Sequence, residues 1–196
     1  VQISDGATLR ELHGVIQVAM GWEGIHLYQF RLRSRCYGSW ELCASSPDVT
    51  LASLKLRKGA RFTYDYDLNL PWRHEVRIEE SRLDRVPGKK YPICTAGDGA
   101  CPPEDCGGPR RYLAGLDDAS SWEAFEDLQT MAEILNEAVL ENRPEVLDDQ
   151  DTRWRLEVAV ERSKAREDAR GRAFVRRRVN ARLRKDGHLA LMHQQC

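Results

Sequence analysis

The residues best equipped for chemistry sit in one short Pro- and Gly-rich stretch: Cys94, six residues, Cys101, four residues, Cys106. Zinc prefers four Cys or His ligands in a tetrahedron, so three thiolates would need one more donor. His74 is the candidate, because it lies on a predicted strand just before the stretch and close to Trp72, whose bulk would shield a metal. The spacing matches no common zinc finger. The competing reading is three buried or free thiols and a packed core histidine. Favouring the metal, residues 84–116 read as one long loop, and a loop of that length needs something to order it. The expected cofactor is therefore a structural Zn on His74, Cys94, Cys101 and Cys106.

Other reactive groups are sparser. Asp65 and Asp67 share a face of a predicted strand, which would suit a paired-carboxylate or second metal site, but solvent-facing strand carboxylates are the stronger reading. No Gly-rich phosphate loop and no nucleophile elbow is legible. The chain therefore reads as not an enzyme, with a metal-dependent hydrolase as a distant alternative.

The elements that must position these residues follow from hydrophobic period. Thr8 and Glu11 form a capping box for a helix over residues 8–20, apolar through Leu9, Leu12, Val15, Ile16, Ala19 and Met20 and ended by Gly21. Alternation predicts strands at 26–33 (Tyr28, Phe30, Leu32), 61–67 (Phe62, Tyr64, Tyr66) and 72–80 (Trp72, His74, Val76, Ile78). Asn69-Leu70-Pro71 makes the last two a hairpin, and Thr50 to Leu56 reads as a short helix or turn. Ser120 with Glu123 opens a second helix supported by Trp122, Phe125, Leu128, Leu135 and Val139, ending near Pro144. Beyond it, Trp154, Leu156, Val158 and Val160 alternate like a strand, and 164–185 reads as a basic helix weakened at Gly171.

Net charge is −1, yet residues 151–187 hold 13 Lys and Arg against 6 Asp and Glu, leaving the rest at a net of −8. That basic helix could neutralise nucleic-acid phosphates through Arg172, Arg176, Arg177, Arg178, Arg182, Arg184 and Lys185. The blander reading is a solvated helix docked on an acidic body. No apolar run is long enough to cross a membrane. The start shows neither an initiator Met nor a leader and reads as the interior of a longer chain. Cys36 and Cys43 read as free thiols, and disulfides are unexpected in the cytoplasmic setting this composition suggests.

Residues 9–33, the Tyr64-Asp65-Tyr66-Asp67 and Trp72-Arg73-His74-Glu75-Val76 block, and Cys101-Pro102-Pro103-Glu104-Asp105-Cys106-Gly107-Gly108-Pro109 together resemble the plasmid pRiA4b ORF-3-like family. Its members are also labelled TnpR passenger proteins of insertion elements. The resemblance covers roughly residues 1–140. It implies an α+β fold, a mobile-element or plasmid setting and no established activity, and it places His74 and the three loop cysteines on recurring family positions. Glu104 and Asp105 fit as loop-ordering acceptors. Asn69-Leu70-Pro71 departs from the acidic turn usual in the family.

The expectation is thus an α+β fold in which packed helices cover an antiparallel or mixed sheet, with a long zinc-ordered Cys-rich loop. The family domain would span 1–145, and 146–196 would be a basic extension, a strand followed by a helix. Function reads as a non-catalytic binding or interaction module that meets a protein partner or itself. The alternative is a nucleic-acid-binding accessory protein acting through the basic helix.

Overall fold

The computed structural model describes residues 1–39, 43–81, 83–118 and 121–192. Ser120, expected to open a helix, and Cys196 fall outside them. The chain divides into two compact units: residues 1–104 together with the chain from 173 onward, and residues 105–172. This division differs from a cut near 145. The last stretch belongs with the first unit, while the first residues after the Cys-rich loop belong with the second.

In the first unit, helix α1 (Leu9–Met20) starts and stops as its sequence dictates. The Thr8 side chain accepts from the Glu11 amide, Glu11 answers at the Thr8 amide, and Gly21 takes the left-handed conformation at φ 76° that glycine adopts without a Cβ penalty. Four antiparallel strands follow: β1 (Tyr28–Leu32), β2 (Arg35–Gly38), β3 (Arg61–Tyr66) and β4 (Trp72–Arg77), in spatial order β2-β1-β3-β4. The register places Phe30 opposite Tyr64 and Tyr64 opposite His74, so the alternating aromatic residues share one face. Against that face lie Leu9, Leu12 and Trp22, with Tyr28, Phe30, Tyr64 and Tyr66 sealed from solvent. The β3–β4 turn is tied by Asp67, whose carboxylate accepts from the Asn69 and Leu70 amides.

On the other side of α1, two further helices close a second cluster. Helices α5 (Arg176–Arg184) and α6 (Gly187–Leu191) bring Val179, Leu183 and Leu191 onto Val15, Val18 and Cys94. The approach of α6 is so close that a Cβ on Gly14 would stand 2.1 Å from the His188 carbonyl oxygen. Only glycine fits there.

The second unit is helical: α2 (Gly108–Asp118), α3 (Trp122–Leu135), a wider turn over Asn136–Leu140, and α4 (Gln150–Ala169). Three expectations are corrected here. The supposed loop turns into α2 at Gly108, where Pro109 suits a first helical turn that needs no N–H from it. The supposed strand at 153–162 is the middle of α4, capped by Asp149, whose carboxylate accepts from the Thr152 amide. Its Leu, Ala, Glu and Arg content favours helix, and residues two apart in a strand pattern also fall into the four-apart rows of a helix. The basic helix expected across 164–185 is two pieces, the end of α4 and α5, parted at Gly171, which has φ 77°. Within this unit α3 turns Asp127 and Ile134 inward; Asp127 holds Arg166 and Arg162 of α4.

Candidate functional site

The chemistry-bearing side chains fall into three places. The first is buried between α1 and the sheet. His13 and Gln17, four apart on α1, converge on the Tyr64 hydroxyl: His13 Nδ1 at 2.7 Å and Gln17 Nε2 at 2.8 Å. The Gln17 side-chain nitrogen donates to the phenol oxygen, and the direction of the His13–Tyr64 bond follows the imidazole tautomer. Tyr28 stacks on His13 with ring centroids 3.7 Å apart. Burial pushes the His13 pKa down to about 3 and Tyr64 well above its ordinary value. Both groups are therefore neutral, and neither reaches solvent. A proton-transfer pair needs a substrate within hydrogen-bond reach; this trio instead locks α1 on the sheet. The sequence signal was available: two polar residues at positions 13 and 17 on the apolar side of α1.

The second place is the Cys-rich loop. Its entry is clamped at Cys94, whose amide donates to Asn180 Oδ1 at 2.8 Å while Asn180 Nδ2 donates to the Cys94 carbonyl at 2.9 Å. Its exit is held twice. The Trp22 indole donates to the Pro102 carbonyl at 2.9 Å. The Glu104 carboxylate accepts from the amides of Glu23, Gly24 and Ile25 at 2.7, 2.9 and 3.2 Å and from the Tyr66 hydroxyl. Glu104 is thus the loop-ordering acceptor expected of the motif. It gathers charge-assisted hydrogen bonds where the chain leaves α1.

The cysteines themselves point elsewhere. The buried Cys94 thiol donates to the Ala96 carbonyl at 3.4 Å amid Val15, Val18 and Leu183, and Cys101 donates to the Ala19 carbonyl at 3.7 Å. Cys106 belongs to the second unit. Burial pushes both the Cys101 and Cys106 thiols up. His74 lies edge-on to Trp22 at 5.7 Å and tilted to Tyr64 at 5.5 Å, packed into the sheet face, and burial pushes its pKa down. Among the described residues, no three His, Cys, Asp or Glu side chains gather as a metal-ligand set.

Asp65 and Asp67 do not form a carboxylate pair open to solvent either. Asp65 is 1 % exposed and bound to Arg73 at 2.8 Å, and Asp67 is buried at its turn. A buried carboxylate needs such a partner.

The third place is the charged exterior of α5. Arg176, Arg177, Arg178, Arg184 and Lys185 are exposed there; Arg182 is engaged by Glu23 at 3.3 Å, and Arg172 is exposed at the end of the second unit.

Comparison with known proteins fits this arrangement. The sequence pattern of the plasmid pRiA4b ORF-3-like proteins matches residues 1–151. The chain belongs to that family. A 110-residue stretch is 39 % identical to the uncharacterised protein y4hQ of Sinorhizobium fredii, covering 53 % of this chain and 56 % of that protein. The chain therefore spans little more than half of that relative. The fold is similar to the crystal structure of MM3350, a protein of unknown function from Methanosarcina mazei Go1, at a TM-score of 0.54 and 31 % identity over 64 % of this chain and 75 % of that one. This chain and MM3350 thus share an α+β architecture. Among the described residues no helix is long and apolar enough to cross a membrane.

Proposed function

We propose that the protein is a non-catalytic interaction module that pairs with a second copy of itself through α3, inside the cell and in the plasmid setting its family name records. One observation carries this reading. Phe125, Leu128, Ala132 and Leu135 recur along α3 in steps of three and four, and all four are exposed. Such spacing forms the narrow seam by which two helices pack knobs into holes. Trp122, 72 % exposed, and Val139, 66 % exposed, extend the apolar strip at either end. The inward side of α3, with Asp127 and Ile134, is already occupied by α4, so the strip is a second face.

The occupant is argued from area and charge. Covering Trp122, Phe125, Leu128, Leu135 and Val139 would remove on the order of 600 Å² per chain, near the ~800 Å² per partner of a standard stable interface. Residues flanking the seam, Gln129, Met131 and Asn136, are uncharged. A second copy therefore brings no like charge to the middle of the seam, Glu126 lying at its Trp122 end, and a two-fold axis lets the same strip serve both sides. The other reactive groups support a binding role: His13, Tyr28 and Tyr64 are sealed in the core, where no substrate reaches them. Leu128→Glu with Leu135→Glu, placed on exposed positions, should leave circular dichroism unchanged and abolish self-association in light scattering. A wild-type chain that is monomeric at high concentration overturns the reading and leaves a different protein helix as the occupant.

Structural zinc on His74, Cys94, Cys101 and Cys106 is a separate proposal, supported by the motif and the resemblance. It would need these side chains to turn from the partners described above. Elemental mass spectrometry on chelator-free protein decides it: about one zinc per chain, lost in Cys101→Ser with Cys106→Ser, supports it. Metal-free protein with the same melting temperature in both forms refutes it.

A further inference from the structure

The start of α5 is electrostatically misplaced. A helix N-terminus carries partial positive charge and favours acids, yet this one opens Arg176-Arg177-Arg178, with no acidic residue in its first turn and no side-chain cap from Val175. Frustration of that kind is relieved when an anion sits among the cations. The molecule offers a place for one. Between α5 and the 89–95 segment of the same unit lies a cleft of about 430 Å³, lined by Lys89, Arg176, Arg177 and Arg184 with Thr95 and Asn180. No carboxylate lines it.

Its walls are fixed. Asn180 bonds both the amide and the carbonyl of Cys94, and Arg176 donates to the Thr95 carbonyl at 3.1 Å, so the loop strand is held alongside the helix. Carboxylates nearby are already taken by other residues: Asp186 holds Lys90 at 2.7 Å and Glu23 holds Arg182. Among the described residues, none of the four cleft cations is in an ion pair. Arginine forks suit phosphate oxygens two at a time. From Arg176 to Arg184 the helix advances about 12 Å, and exposed Arg178 and Lys185 carry the charge out of the cleft along α5.

We infer that this cleft binds phosphate, and that its source is the backbone of a nucleic acid tracking along α5. A lone small phosphate would occupy only part of the cleft and leave Arg178 and Lys185 unused. The inference is independent of the α3 seam, which lies in the other unit.

Fluorescence anisotropy with short labelled single-stranded and duplex oligonucleotides tests it, on the full chain. Arg177→Glu with Arg184→Glu reverses charge at exposed cleft positions. Arg35→Glu with Arg57→Glu makes the same charge change elsewhere on the surface, and circular dichroism confirms that each variant is folded. The wild type and the Arg35/Arg57 variant should bind. The cleft variant should lose roughly tenfold or more in affinity, and binding should weaken steeply from about 50 mM to about 200 mM salt. No oligonucleotide binding at the lower salt, or equal loss in both variants, overturns the inference. Inorganic phosphate and ADP are run as thermal-shift ligands in parallel. If they stabilise the wild type and not the cleft variant while oligonucleotides fail to bind, the cleft is a small-phosphate site and the nucleic-acid source is refuted.

Discussion

Removing the Glu104 carboxylate should loosen the Cys-rich loop more than removing any of its thiols. Four donors meet on this side chain: the Glu23, Gly24 and Ile25 amides and the Tyr66 hydroxyl. The Glu23 and Ile25 bonds are exposed and water can replace much of them. The Gly24 and Tyr66 bonds are part-buried, and hydrogen bonds to a charged group at such sites are worth about 1.5–3 kcal/mol each. Glu104→Ala should therefore cost about 3–6 kcal/mol. For a chain of this size that is a melting-temperature drop of about 6–24 °C. Glu104→Gln keeps one acceptor and should fall near half that loss. Scanning calorimetry reads the magnitude, and hydrogen exchange localises it: the amides of residues 23–25 should lose protection while β1 and β3 keep theirs. A drop below about 2 °C with protection at 23–25 unchanged would refute the reasoning. It would show that Trp22 with Pro102, or a bound metal, holds the loop without Glu104.

Two other perturbations probe the first unit. His13 is neutral in the fold down to about pH 3, while an unfolded histidine takes up its proton near 6.5. The unfolded chain thus binds the extra proton between these values, so stability is intact above about pH 6.5 and falls as pH is lowered, by up to about 1.4 kcal/mol per pH unit from this residue. Denaturant melts from pH 7 to pH 5 should show this slope in the wild type and a shallower one in His13→Gln; identical slopes would count against it. Gly14→Ala places a Cβ 2.1 Å from the His188 carbonyl, so α6 must move off α1. Loss of about 3 kcal/mol or more is expected in chemical denaturation, and a loss under 1 kcal/mol would show that α6 is not seated there in solution.

Much of the first unit is legible in the sequence because its signals are local. The Thr8/Glu11 box and Gly21 bound α1, and alternation through Phe62, Tyr64 and Tyr66 suffices for β3. β2 escapes because Arg35-Cys36-Tyr37-Gly38 is too short to show a period. α4 escapes because Trp154, Leu156, Val158 and Val160 satisfy a two-residue period while most of their neighbours favour helix. The return of α5 and α6 to α1 is a tertiary fact, and its local trace is a glycine at position 14 in the middle of a helix. α3 is legible as a helix, but the residues that mark it, Trp122, Phe125, Leu128 and Leu135, turn out to face outward. A hydrophobic stripe shows that a face will be covered and does not say by what. The site divides the same way. Glu104 can be read as an acceptor from its motif, whereas the His13–Gln17–Tyr64 trio and the Lys89 side of the basic cleft require the fold.

The central claim is that α3 is a self-pairing surface. Sedimentation equilibrium of the wild-type chain over a wide concentration range, beside the Leu128→Glu/Leu135→Glu variant, tests it most directly. The account predicts a reversible shift toward twice the chain mass in the wild type and a single-chain mass throughout in the variant. One chain mass for both at every concentration, or a dimer that survives the double substitution, would contradict it.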